Sequence, residues 1–361
     1  MKFSSEFYRN KKVLITGHTG FKGSWMSRLL LSCGAEVTGY GLAPEGETPL
    51  FDILSLAKDM HSVIGEIRDL EHLEQVFAEV QPEIVIHMAA QPIVRESYAR
   101  PVYTYETNVM GTVHVLEAIR KTPSVRSFVN VTTDKVYLNR EWHWGYRETD
   151  ELNGYDPYSN SKSCSELVTS SYRNSFFDRK KTAVSTCRAG NVIGGGDYAK
   201  DRIIPDSIRE TLQGKKIAVR NPFSVRPYQH VLEPVTAYLL IAQAQYENPD
   251  LQDSYNIGPQ ESSFLTTGEL VSLFCEIWNE KIEGTGLSKA AWTAQGDNGP
   301  HEASLLKLDC AKIRSVIGWK PGWQIREAVE RIAEWEIARV CGKDMKSLTD
   351  AQIFAYLETL Q

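Results

Sequence analysis

Basic charge is in short supply: 40 lysines and arginines against 46 aspartates and glutamates leave the 361-residue chain at a formal charge of −6. That balance excludes a nucleic-acid surface built on bulk positive charge. No apolar run reaches the roughly 18 residues that a membrane span needs, and the stretch from Met1 to Asn10 has no apolar signal core. The six cysteines, Cys33, Cys164, Cys187, Cys275, Cys310 and Cys341, are scattered without a CxxC pair, which excludes a disulfide framework and a thiolate zinc site. The eight histidines show no metal-ligand spacing, so no metal is expected. Repeats and low-complexity segments are missing too. What remains is the composition of a cytoplasmic globular enzyme, 42% hydrophobic and 24% charged, long enough for a large core and two domains.

The apolar, β-branched run Lys11-Lys12-Val13-Leu14-Ile15-Thr16 suits a buried parallel strand. Gly17 breaks it and opens Gly17-His18-Thr19-Gly20-Phe21-Lys22-Gly23. A helix is predicted from about Ser24 to Cys33, ended by Gly34, and Glu36-Val37-Thr38-Gly39-Tyr40 supplies a second strand. The glycine loop thus joins strand to helix within one βαβ unit. In that setting the glycines permit a tight turn and let backbone N–H groups approach a pyrophosphate, which the helix N-terminus also attracts. A dinucleotide site for NAD is expected from Gly17 to Gly23. One partner is absent. The carboxylate that would bind the ribose hydroxyls of NAD should close the second strand, and by register that place falls on Gly41. No arginine for an NADP phosphate stands there either. Lys22 offers a phosphate contact in compensation, or stands as a solvated surface lysine.

Strand and helix signals keep alternating to about residue 190. His61–Ile64, Ile84–Met88, Ser127–Val131 and Ala183–Cys187 are expected strands, and Leu70–Val80, Val102–Ile119 and Ser159–Phe177 are expected helices. Such alternation implies an α/β fold, a doubly wound parallel Rossmann-type sheet with ligands at the C-terminal ends of its strands. Further on the texture turns to glycine, proline and irregular stretches: Gly194-Gly195-Gly196-Asp197, Arg220-Asn221-Pro222 and Gly284 to Pro300. These suit a smaller, interleaved C-terminal domain that closes over a substrate. The apolar helical run Val231 to Gln245 returns to the first domain. The expected division is 1–190 plus about 228–250 for NAD, and 191–227 with 251–361 for the substrate.

The chemistry centres on Tyr158 and Lys162, one helical turn apart in Tyr158-Ser159-Asn160-Ser161-Lys162. A phenol is a weak base at neutral pH, but a nearby ammonium and a positive nicotinamide ring both favour its phenolate. Lys162 can also hold the ribose. The YxxxK spacing occurs often on ordinary helix surfaces, so its company carries the weight. Upstream, Thr132-Thr133-Asp134-Lys135-Val136-Tyr137 continues an apolar strand, and Thr133 offers a hydroxyl to a substrate oxygen. Asp134 and Lys135 extend past the strand end into the cleft as one acid and one potential base. Dehydrogenation or epimerisation needs only the tyrosine and the cofactor; an added acid–base pair suits elimination of water. Lys135 must be neutral to act as the base, which Lys162 nearby and partial burial would favour; its alternative is a lysine paired with phosphate or carboxylate.

The GxxGxxG spacing resembles the extended branch of the short-chain dehydrogenase/reductases, and Thr133-Asp134-Lys135 resembles the Thr-Asp-Glu segment of its nucleotide-sugar 4,6-dehydratases. Lysine for glutamate is the mark of members that act on CDP-glucose. The resemblance covers nearly the whole chain, including Gly17 to Trp25, Val225-Arg226-Pro227-Tyr228-Gln229-His230-Val231 and His301-Glu302-Ala303. It implies NAD as cofactor, CDP-glucose as partner, no nucleic acid or membrane, and a homodimer or homotetramer that pairs Val102–Ile119 and Ser159–Phe177 across a two-fold axis. It also implies Glu66, where aspartate is commoner, and Ile67 by the adenine, Ala89, Ala90 and Gln91 along the cofactor, and Asn108 at a structural-catalytic kink. Thr133, Asn191, Arg202, Arg226 and His301 are implied as substrate contacts, with the arginines neutralising a diphosphate or standing as ordinary surface ion pairs. Glu302 and His230 are lesser candidates for the same pocket. The nearer alternative is another enzyme of the branch, an epimerase, a decarboxylase or a dehydratase of GDP-mannose or dTDP-glucose. The farther one is a non-catalytic NAD-binding scaffold.

Overall fold

In β1 (Lys12–Thr16), Val13, Leu14 and Ile15 have no exposed surface, as a strand covered on both faces requires. The computed structural model describes residues 2–178, 180–260, 263–296 and 305–360. From β1 the chain passes through Gly17, whose φ of +75° is left-handed, into α1 (Phe21–Ser32). The helix starts three residues ahead of the sequence expectation, so Lys22 and Gly23 belong to its first turn. Gly34, at φ +77°, follows the helix, and β2 (Glu36–Gly41) runs parallel to β1 with Gly41 as its last residue.

β3 (His61–Ile64), α2 (Leu70–Val80) and β4 (Ile84–His87) follow. Asp69 caps α2 by accepting the His72 backbone N–H at 3.1 Å. The single helix expected over Val102–Ile119 is three pieces: Pro101–Tyr105, a π-helical turn at Glu106–Met110, and α3 (Gly111–Arg120). A widened turn of this kind bends a helix and is frequent at functional sites. Next come β5 (Ser127–Val131), α4 (Pro157–Ser175), β6 (Ala183–Ala189), α5 (Leu232–Glu247) and β7 (Ser254–Ile257).

All seven strands are parallel, in the order β7-β6-β5-β4-β1-β2-β3. The order reverses between β1 and β4, which opens a crevice at the C-terminal strand ends. β7 was not expected as a strand; it lies in a stretch assigned from sequence to the smaller lobe. Every residue of α5 from Leu232 to Tyr246 is buried, as in a helix enclosed on all sides, and its buried glutamate, threonine and glutamines bond within the protein. The Ser127 hydroxyl donates to Ala242 O at 2.9 Å and Gln245 Nε2 to Phe128 O at 2.9 Å, which seats α5 on the sheet.

A second core, with Ile204, Ile208, Val219, Leu270, Phe274, Trp278 and Val329, lies under the helices Ile203–Leu212, Thr267–Lys281 and Ile325–Val340. The C-terminal helix Met345–Glu358 returns to α1, where Asp350 takes both Nε and Nη2 of Arg28 at 2.5 Å. Among the described residues no helix is long and apolar enough to cross a membrane.

Candidate active site

The loop after β1 closes only because of its glycines. A Cβ on Gly23 would stand 2.2 Å from Gly17 O, and one on Gly17 would stand 2.8 Å from Ala89 N. α1 has no side-chain cap at Gly20, so its first N–H groups and the positive end of its dipole face outward over bare main chain. This cradle fits the pyrophosphate of a dinucleotide such as NAD.

Packing fixes two positions of the cradle, His18 and Gly41. His18 does not face a cofactor: its side chain is fully buried, with Nε2 2.7 Å from Ser62 Oγ and the ring edge-on to Phe51. The ring occupies the space a Cβ on Gly39 would take, 2.1 Å from His18 Cγ. Burial lowers its pKa to about 4, so His18 has only its main chain to offer. Gly41 is closely packed as well, since a Cβ there would stand 3.3 Å from both N and Cα of Gly17. An aspartate at this position would press on the cradle. Thr19 holds the loop to the end of β2 by donating to Leu42 O at 2.9 Å.

Glu66 is paired with Arg68 at 3.3 Å, and its carbonyl accepts the Tyr40 hydroxyl at 3.0 Å. The Ile67 side chain is buried against Gly111. In the segment after β4, Ala89 N–H donates to Thr16 Oγ1 at 3.1 Å, Ala90 follows, and Gln91 N–H donates to Asn108 Oδ1 at 2.8 Å. Asn108, in the π-helical turn, returns Nδ2 to Gln91 O at 3.0 Å and to Ser161 Oγ at 2.9 Å. The kinked residue therefore ties the β4 loop to α4 next to Lys162.

At the C-terminal strand ends a cleft of about 320 Å³ is lined by Phe21, Lys22, Thr133, Asp134, Lys135, Tyr158, Asn191, Arg202 and Arg226. Its wall also holds Tyr228, from the segment Val225–Val231 noted above, and Arg95, Arg220, Ser224 and Thr267, for which the sequence carried no motif. α4 begins just ahead of Tyr158 because Pro157 takes the first helical position and Asp156 accepts the Ser159 N–H at 3.0 Å. Thr133 donates its hydroxyl to Asp134 Oδ1 at 3.0 Å and accepts the Lys135 N–H at 3.4 Å, opening a 3₁₀ turn over Asp134–Val136. Asp134 is 2% exposed. Its Oδ2 has no hydrogen-bond partner and lies 3.2 Å from where a Cβ on Gly190 would sit. Burial pushes this carboxyl up, against the pull of Lys135 and of the Thr133 hydroxyl, which favours the protonated acid.

Tyr158 departs from expectation. Burial pushes its phenol up to about 12, although the Thr133 hydroxyl pulls the other way. Lys162 does not turn to it: Nζ donates to Val131 O at 3.1 Å. The Lys162 ammonium is lowered to about 7, first by burial and then by Lys22. Lys22 is itself lowered to about 8, by burial and by Arg202, while Asp134 and Asp197 pull it up. Lys22 is thus part of the cleft wall rather than a solvated surface lysine, and it is the cation that crowds Lys162. Arg202 pairs with Asp197 at 3.1 Å, Arg226 donates to Val225 O at 3.1 Å, and Arg220 forks Asp201 with two contacts of 3.0 Å. The Asn191 carbonyl accepts the Gln229 N–H at 3.0 Å. His301 and Glu302 lie outside the described residues, and His230 is buried between Trp25 and Trp323. Among the described residues no cluster of three histidines, cysteines or carboxylates stands ready for a metal ion.

The family model for GDP-mannose 4,6-dehydratase matches residues 14–332, from β1 into the helix Ile325–Val340. The chain belongs to this family. Within it, the chain is 46% identical over 357 residues to the CDP-glucose 4,6-dehydratase of Salmonella typhimurium, with 97% of each chain covered. The family fold is also seen in the dTDP-glucose 4,6-dehydratase of Bacillus anthracis in complex with NAD, at a TM-score of 0.74 and 22% identity over 94% of this chain and 99% of that one. The UDP-glucose 4-epimerase of Thermotoga maritima with UDP-glucose is similar too, at a TM-score of 0.76 and 23% identity over 92% of this chain and 99% of that one.

Proposed function

We propose that the protein is a CDP-glucose 4,6-dehydratase, converting CDP-D-glucose to CDP-4-keto-6-deoxy-D-glucose and water. The observation that carries this reading is the buried, singly unpartnered carboxyl of Asp134 beside Lys135, in one cleft with Thr133 and Tyr158. The 46% identity to a CDP-glucose 4,6-dehydratase supports the choice of substrate, and the related dehydratase in complex with NAD supports the cofactor. Bound in the glycine cradle, NAD would supply the hydride chemistry, acceptance from sugar C4 and return to C6.

The chain's own groups move the protons. Tyr158, assisted by Thr133, takes the proton of the 4-hydroxyl; with its phenol raised by burial, it needs the positive charge of the oxidised nicotinamide and of Lys162 brought alongside. Oxidation at C4 makes the C5 proton acidic; Lys135 removes it and gives a proton back to C5 when C6 is reduced. Asp134, whose protonated form burial favours, donates to the departing 6-hydroxyl. Asn191, Arg202 and Arg226 hold the diphosphate, with Arg220 joining them. The parallel sheet with its loops is read as the NAD domain, and the second core with its helices as the nucleotide-sugar domain. Exposed Val102 (69%), Met110 (46%) and Leu167 (56%), on the segments Pro101–Met110 and α4, support pairing with a second copy. The unpaired thiols fit the cytoplasm.

Single-turnover kinetics with Asp134→Asn and Lys135→Met test the assignment. Reduced-nicotinamide absorbance should appear and fail to decay, with no 4-keto-6-deoxy sugar formed. Full dehydration by Lys135→Met would make that lysine a phosphate or structural partner. Loss of cofactor reduction in both variants would remove the division between oxidation and elimination. An epimerase would share Tyr158 and Lys162 but has no use for the acid–base pair.

A further inference from the structure

One buried charge joins the C-terminal side of the sheet to α4. Glu166, one turn beyond Lys162 and 3% exposed, accepts the Thr132 hydroxyl at 2.5 Å, the Thr186 hydroxyl at 2.6 Å and Arg188 Nη2 at 2.8 Å. Arg188, also 3% exposed, donates Nη1 to Tyr137 Oη at 2.8 Å, and that hydroxyl donates to Asn256 Oδ1 on β7 at 2.6 Å. A buried ion pair is weak grounds for stability, because desolvation offsets the attraction. Its placement is what matters here. The two hydroxyls it anchors, on Thr132 and Tyr137, belong to the residues immediately before and after Thr133-Asp134-Lys135-Val136.

Two further bonds from α4 grip the same segment: Lys162 Nζ to Val131 O at 3.1 Å and Ser163 Oγ to Val136 O at 2.7 Å. The turn is thus tied at both ends while Asp134 Oδ2 meets no partner. Glu166, Arg188 and Tyr137 lie outside the cleft wall, which of the network only Thr132 joins. Elimination demands two proton transfers, at C5 and at the oxygen on C6, and a displacement of about 1 Å in a reacting group costs up to about 10²-fold. We propose that the Glu166–Arg188 pair is the positioning element of the elimination step, holding through Thr132 and Tyr137 the turn that presents Asp134 and Lys135. The inference rests on the roles given to those two residues above.

Thr132→Val and Tyr137→Phe each remove one anchoring hydroxyl and leave shape and the ion pair in place. In the NAD-loaded enzyme with CDP-glucose, cofactor reduction should proceed at close to the parent rate. Formation of the keto-deoxy sugar should slow by about 10- to 100-fold with KM unchanged, so that reduced nicotinamide accumulates. Thr132→Ser should restore the parent partition. Equal slowing of both half-reactions, parent kinetics in both variants, or a lowered melting temperature or failure to fold without a change in partition would reduce the network to a fold determinant and overturn the proposal. Asp134→Asn in the same assay separates the two levels. If it accumulates reduced nicotinamide while the hydroxyl variants behave as the parent, only the positioning role fails; if it does not, the acid role fails first.

Discussion

Replacing Lys162 with methionine tests the electrostatics of the site independently of turnover. Lys162 is 3% exposed, and burial with Lys22 beside it brings its ammonium from the ordinary 10.5 down to about 7. Below pH about 7 the folded and unfolded chains both hold the proton, so the folded protein bears the whole cost of a buried charge. Between about 7 and 10.5 the unfolded chain binds a proton that the folded chain has released, so stability rises with pH by about 1.4 kcal/mol per pH unit. Across the whole interval that amounts to about 5 kcal/mol. Methionine removes the charge and loses the hydrogen bond to Val131 O, worth about 1 kcal/mol. Lys162→Met, free of cofactor, should therefore be more stable than the parent by about 3 kcal/mol at pH 7 and by about 1 kcal/mol at pH 9. It should also be inactive. Urea unfolding of both proteins at each pH measures the difference. Parallel stability curves, with no convergence as the pH rises, would refute the lowered ammonium and with it the account of how α4 is charged.

Tyr158→Phe keeps the ring and removes the proton acceptor, so turnover should fall by at least about 10²-fold while equilibrium dialysis shows nucleotide binding intact; near-normal turnover in the folded variant would take Tyr158 out of the reaction. Gly41→Asp should weaken NAD binding and lower the melting temperature, because its Cβ stands 3.3 Å from the main chain of Gly17; tighter NAD in calorimetry would show that the loop yields. The natural protein, without a carboxylate at that position, should purify partly free of cofactor and gain activity on addition of NAD, an expectation contradicted by stoichiometric, non-exchanging NAD.

What the sequence determined alone is local in its physics. The β1–loop–α1 unit was legible because a buried parallel strand is an unbroken apolar run and because a left-handed Gly17 followed by Gly23 in contact with Gly17 O tolerates no other residue. His61–Ile64, Ser127–Val131 and Leu70–Val80 have the bounds that their periodicity predicted. β7 was illegible because four residues at a sheet edge carry too little pattern. The break at Glu106–Met110 was illegible because an apolar stripe runs through it, while the partners of Asn108 come from Gln91 and Ser161, 17 and 53 residues away. The residue types at the strand ends could be read one by one; their ionisation could not. Nothing in a YxxxK spacing tells that burial drives the phenol up and the ammonium down, that Lys22 rather than Lys135 crowds Lys162, or that His18 turns inward beneath Gly39. Those outcomes depend on how much water each group loses and which charges fold up beside it, and neighbours of that kind exist only once distant segments have packed together.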